Sequence, residues 1–82
     1  MSNKVIDFPQ YRKLSNDKAF YRIDSDKKFE EIQIIGEKAY LYSTSATKYP
    51  EIIRIQDMLL LNGFLEIEEE EYISLLDNYS LK

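Results

Sequence analysis

Apolar side chains recur along this chain with two different periods. Over residues 10–44 they alternate with polar ones, and after residue 50 they return every three to four positions. Ala19, Tyr21 and Ile23 fall on one side of an extended segment, with Phe20, Arg22 and Asp24 on the other. Ser15-Asn16-Asp17-Lys18 precedes this segment and reads as a turn, because short polar side chains there bond to their own backbone. With residues 11–14 as the partner strand, this predicts a first hairpin.

A second hairpin is written around Gly36-Glu37. If these are the central residues of a type II′ turn, residue 34 stands opposite 39, 33 opposite 40, 32 opposite 41 and 31 opposite 42. Ile32 and Ile34 then share one side with Leu41 and Ala39, while Glu31 and Gln33 share the other with Tyr42 and Tyr40. A competing pattern makes residues 26–35 a helix capped by Ser25 and stopped at Gly36. The adjacent β-branched residues Ile34-Ile35 favour the strand.

Residues 50–62 carry the densest apolar stripe. Ile52, Ile55, Met58 and Leu59 form one row and Ile53 and Leu60 a second, which leaves Arg54, Asp57 and Leu61 for solvent. Pro50 suits the first helical turn, and Asn62-Gly63 offers residues that tolerate a left-handed end. Residues 64–67 read as a short strand. A closing helix over about 69–79 buries Tyr72, Ile73, Leu76 and Tyr79. The fold expected is therefore α+β: a small antiparallel sheet of three to four strands from residues 10–44, a short strand near 64–67, and two helices packed on one sheet face. Residues 1–9 read as an arm whose Val5, Ile6 and Phe8 dock on a single domain spanning 10–82.

Composition narrows the chemistry. With 82 residues, 44% hydrophobic and 32% charged, the chain reads as a soluble globular domain with one small core. No apolar run approaches the roughly 18 residues of a membrane span, and residues 1–9 lack a signal-peptide hydrophobic region, so the expected compartment is the cytosol. Residues 1–50 carry a net +2 and residues 51–82 a net −6, giving −4 in all. Such an acidic chain repels phosphate backbones, which disfavours nucleic-acid binding.

Histidine and cysteine are both absent, which removes the commonest general base, thiol nucleophiles and the usual zinc ligands. The only glycines are Gly36 and Gly63, so no Gly-rich nucleotide loop can be written. No cofactor or metal is expected. Glu30, Glu31, Asp57 and Glu66 are available for carboxylate chemistry, but their types alone supply no pair, and an enzyme is not expected.

Two surfaces remain. Glu31, Gln33, Tyr40 and Tyr42 share a sheet face that stands open to a partner if both helices cover the other face. Glu68, Glu69, Glu70 and Glu71 suit the positive start of a helix and also offer an acidic patch to the basic groove of another protein. The leading expectation is a non-catalytic protein interaction module, self-associating through the tyrosine face or a free strand edge. An acidic inhibitor or regulator is the alternative.

Overall fold

The structure, a computed structural model, describes residues 7–81. It contains β1 (Gln10–Lys13), β2 (Ala19–Ser25), β3 (Lys28–Ile35), β4 (Lys38–Ser45), α1 (Tyr49–Leu59), β5 (Leu65–Glu66) and α2 (Glu69–Asn78). The strands form one antiparallel sheet in the order β4-β3-β2-β1-β5. The expected α+β class is the one observed. Lys28 to Ile35 forms β3, and the competing helix is absent there. Val5 and Ile6 lie outside the described residues, and Phe8 is exposed.

Local chemistry sets the hairpins. Between β1 and β2, Asp17 takes a φ of 60°, and the Lys18 backbone N–H donates to Asn16 Oδ1 at 2.9 Å. Between β3 and β4, Gly36 has a φ of 64° and Glu37 is not in the positive region, the signs of a type II′ turn. The register is the one read from the sequence: Glu31↔Tyr42, Ile32↔Leu41, Gln33↔Tyr40 and Ile34↔Ala39.

The placement of the helices differs from the shared face expected. α1 supplies Ile55 and Met58 to a cluster with Ala19, Tyr21, Ile23 and Phe29. α2 supplies Tyr72 and Leu76 to a separate cluster with Phe20, Ile32 and Ile67. Successive strand residues point to opposite sides. Tyr21 under α1 and Phe20 under α2 therefore put the two helices on opposite faces, with β2 between them. The physical reason is β2 itself, whose Ala19, Phe20, Tyr21 and Ile23 are all buried, so both its faces need covering. Each large side chain buried there contributes roughly 1.5–3 kcal/mol.

The helix ends fix where the chain turns. Pro50 sits in the first turn of α1, and the Glu51 carboxylate accepts the Lys48 backbone N–H at 3.3 Å. At the other end the left-handed residue is Leu61, with a φ of 58°. Asn62 N–H donates to the Asp57 carbonyl at 2.8 Å and Leu61 N–H to the Met58 carbonyl at 3.2 Å, the paired bonds of a Schellman end. The helix thus stops before the Asn62-Gly63 pair expected to end it. Arg12, buried in β1, reinforces that end by donating from Nε to the Met58 carbonyl at 2.8 Å. α2 closes in the same way around Ser80, with Leu81 N–H donating to the Leu76 carbonyl at 2.9 Å. The second apolar row of α1 is not buried as expected: Ile53 and Leu60 are exposed.

Candidate functional site

β4 is the long edge of the sheet, and neither helix covers it. Its eight residues are exposed or half-buried throughout, with Tyr40 at 41%, Leu41 at 36% and Tyr42 at 46% exposure. Tyr40 and Tyr42 lie on the α1 side of the sheet and Leu41 on the α2 side, by the same alternation. The opposite edge, β5, is only two residues long.

The free edge of β4 can be assigned atom by atom. Ile34 N–H donates toward β2, to the Lys18 carbonyl at 2.9 Å. Its cross-strand neighbour Ala39 therefore belongs to a pair that exchanges no hydrogen bonds, so the Ala39 N–H and C=O point away from β3. Leu41 and Ser43 follow at the same two-residue period. Three consecutive outward N–H and C=O groups are thus offered by a strand with one charged residue, Lys38, and no proline. Those are the features that natural edges normally use to prevent pairing.

Beside the tyrosines lies a polar floor. Glu31 is only 6% exposed and already engaged: its Oε2 accepts from Tyr21 Oη at 3.2 Å and Gln33 Nε2 at 2.9 Å, and its Oε1 faces Arg54 Nη1 at 3.8 Å. Burial, followed by the Glu31 charge, pushes the Tyr21 phenol up to about 12. A shallow open cleft of about 340 Å³ runs between Arg54 and β3, with Tyr21, Glu31, Gln33 and Ile35 on its walls. The wholly open face expected is not found, because α1 covers its β2 side; of the four residues singled out from sequence, Tyr40 and Tyr42 are exposed at the uncovered β4 margin, Gln33 is half-buried beside them, and Glu31 is buried beneath.

The other candidates are dispersed. Glu30 points to the α2 side, where it accepts from Tyr72 Oη at 2.8 Å and pairs with Arg22 at 3.6 Å, so it does not converge with Glu31. Burial, reinforced by the Glu30 hydrogen bond, raises the Tyr72 phenol well above its ordinary value. Glu68 occupies the N-cap position of α2 without a side-chain capping bond, Glu69, Glu70 and Glu71 form its first turn, and all four are exposed. Glu71 lies 3.8 Å from Lys13. Among the described residues no group of three or more carboxylates gathers as a metal site, and no helix is long and apolar enough to cross a membrane.

Sequence reading anticipated a free strand edge without placing it on β4, and it passed over Leu41. The available signal was the single charge in Lys38-Ala-Tyr-Leu-Tyr-Ser-Thr-Ser, too few for a guarded edge. Comparison of the chain with family models, curated proteins and solved structures finds no match.

Proposed function

We propose that the protein is a non-catalytic interaction module that binds protein through the free edge of β4 and the tyrosine-bearing face beside it. The observation that supports this most is an eight-residue edge strand, exposed on both sides, whose outward main-chain groups carry no charged guard near their centre. A strand added to such an edge gains main-chain hydrogen bonds, and side chains of alternating direction give the pairing its selectivity. Tyr40 and Tyr42 add rigid contact area with few rotatable bonds to immobilise. The dispersal of Glu30 and Glu31 to opposite faces supports the non-catalytic part of the reading.

The reading is tested with wild-type protein and Leu41→Lys, whose ammonium would sit at the centre of the edge. Both are assayed for self-association by sedimentation and for retention of proteins from a native lysate. Binding of some protein, self or foreign, is expected for the wild type and should weaken at least tenfold in Leu41→Lys. A wild type that neither self-associates nor retains any protein in a Leu41-dependent way would falsify the proposal.

A further inference from the structure

We infer that the occupant of the β4 edge is a second copy of this chain, its β4 running antiparallel and centred on Leu41. The inference rests on the edge-pairing reading above and adds the identity of the partner and the register. It starts from a symmetry in the strand. Read outward from Leu41 in either direction, β4 gives tyrosine (Tyr40, Tyr42) and then a small residue (Ala39, Ser43). The outward main-chain groups of Ala39, Leu41 and Ser43 are symmetric about the same residue.

A two-fold axis through Leu41 therefore sets like side chains opposite one another from residue 39 to residue 43, within the isologous pairing that any two-fold contact gives. In that register Leu41 meets the second copy's Leu41 as a hydrogen-bonded pair, and Ala39 meets the second copy's Ser43 likewise. Tyr40 stands opposite the second copy's Tyr42, and Tyr42 opposite its Tyr40, in the closer non-hydrogen-bonded sites. Four tyrosines then cluster on the α1 side of a continuous ten-stranded sheet. Cross-strand aromatic pairs of this kind are among the favourable ones.

Charge agrees with the same register. Lys38 falls opposite the second copy's Thr44 and Glu37 opposite its Ser45, so no like charges are juxtaposed. The chain's acidic run, Glu68 to Glu71, belongs to α2, which packs on β1 and β2. It stays clear of the junction. A strand with a single charge offers little to attract a strongly charged foreign segment, and a nearly neutral copy of itself fits it better.

The area sets the strength. Exposure of 41% and 46% leaves roughly 100 Å² of each tyrosine to bury, since a whole aromatic side chain buries about 150–250 Å². With Leu41 and the main-chain edge added, each copy contributes well under the ~800 Å² of a standard stable interface. The dimer is accordingly a weak, reversible one of the small-interface class.

The absence of cysteine makes the register directly testable, because a single cysteine introduced can form only intermolecular cross-links. Opposed residues in a hydrogen-bonded antiparallel pair have Cα atoms about 5.5 Å apart, but their Cβ atoms stand too far apart for an unstrained direct disulfide, so a short thiol-to-thiol cross-linker is the fitting reagent. Leu41→Cys alone is therefore expected to give a covalent dimer with a short thiol-to-thiol cross-linker, at least tenfold faster than Ser15→Cys in the exposed β1–β2 turn. Ala39→Cys alone should not, since two copies of residue 39 lie about 13 Å apart in this register. Ala39→Cys mixed with Ser43→Cys should cross-link again.

Sedimentation of the wild type between about 1 µM and 1 mM should show a concentration-dependent monomer–dimer equilibrium, as a small reversible interface gives. Leu41→Pro should abolish it while keeping a native circular dichroism spectrum, because the proline removes an N–H that β3 does not use. Leu41→Lys replaces it if the proline variant is unfolded. A wild type that stays monomeric at the highest concentration, yet retains a foreign protein that Leu41→Lys loses, overturns the second copy while leaving the interaction reading intact. Self-association with Ala39→Cys cross-linking as fast as Leu41→Cys overturns the register. The absence of both self-association and Leu41-dependent capture overturns both readings.

Discussion

Ile32 and Leu41 stand directly opposite each other across β3 and β4, on the same side of the sheet, yet Ile32 is fully buried and Leu41 is 36% exposed. The boundary of the protein's interior runs between them. Inward of it, β1, β2 and β3 are sandwiched by α1 and α2. Outward of it, β4 is held by its hydrogen-bond ladder to β3 and by little packing. The contrast with the other edge is instructive. β5 closes the sheet with two residues that pair with Arg12 and Lys13, whereas β4 extends eight residues with an open side. Burial is concentrated in the centre, and the least covered strand lies at one margin.

The sharpest way to break this comparison is to truncate both members of the pair. Ile32→Ala should cost roughly 2–5 kcal/mol in urea denaturation, a large share of the stability of so small a domain. Equal losses at Ile32 and Leu41 would show that the boundary is misplaced.

Alkaline titration tests the centre by another route. Tyr21 and Tyr72 hold their protons more tightly in the folded protein than in the unfolded chain. Their contribution is fully present below about pH 10, the ordinary tyrosine value, and is lost as the pH rises from there to about 12 for Tyr21. Each buried phenol costs up to ~1.4 kcal/mol per pH unit across its own window. Denaturation midpoints at pH 9, 10 and 11 should therefore fall only above pH 10, and an unchanged midpoint at pH 11 would refute the linkage.

Tyr72→Phe should destabilise by roughly 1–2 kcal/mol at neutral pH, since a hydrogen bond to the Glu30 carboxylate is lost in a buried setting. It should also flatten the alkaline slope, which a purely steric role for the ring would leave in place. At the helix end, Leu61→Gly should raise stability by about 1 kcal/mol, because a leucine at a φ of 58° carries the left-handed penalty that glycine avoids. No gain in melting temperature would mean that the half-exposed Leu61 side chain contributes packing of similar size. Smallest of all, Leu41→Ala should shift stability by less than about 1 kcal/mol in dilute monomer, as expected for a poorly covered side chain.

What the sequence made legible was local. The β3–β4 register follows from Gly36 and the alternation around it, and both hairpin turns are carried by a few adjacent residues. The pairing of β5 with β1 was not legible, since nothing near Leu65 names Tyr11 as the residue whose carbonyl receives the Ile67 N–H. Division of the helices between two faces had a visible sign in Ala19-Phe20-Tyr21, three apolar residues in succession on what must be a central strand. Buried polar groups such as Arg12 and Glu31 were opaque, because their partners, Met58 and Tyr21, come from other elements. For the candidate surface, residue identity was legible at Tyr40 and Tyr42. Exposure depended on how far α1 reaches, and its Ile55 and Met58 pack on β2 and Phe29, leaving the tyrosines of β4 uncovered.

The crossing made by α1 also bears on the order of events in folding. β1 to β4 form a meander whose neighbours are consecutive in the chain, so each pairing closes only a short loop. β5 lies at the far margin from β4, and the segment carrying α1 must span the whole sheet before Glu66 can meet Arg12. Closing that long loop carries the larger entropy cost and rewards the chain only at the end. The meander is therefore the natural nucleus, and the β1 edge stays unsealed until α1 has come to rest. Slow steps in refolding should map to Arg12, Met58 and Ile67, where the last closure is made, and not to the hairpins.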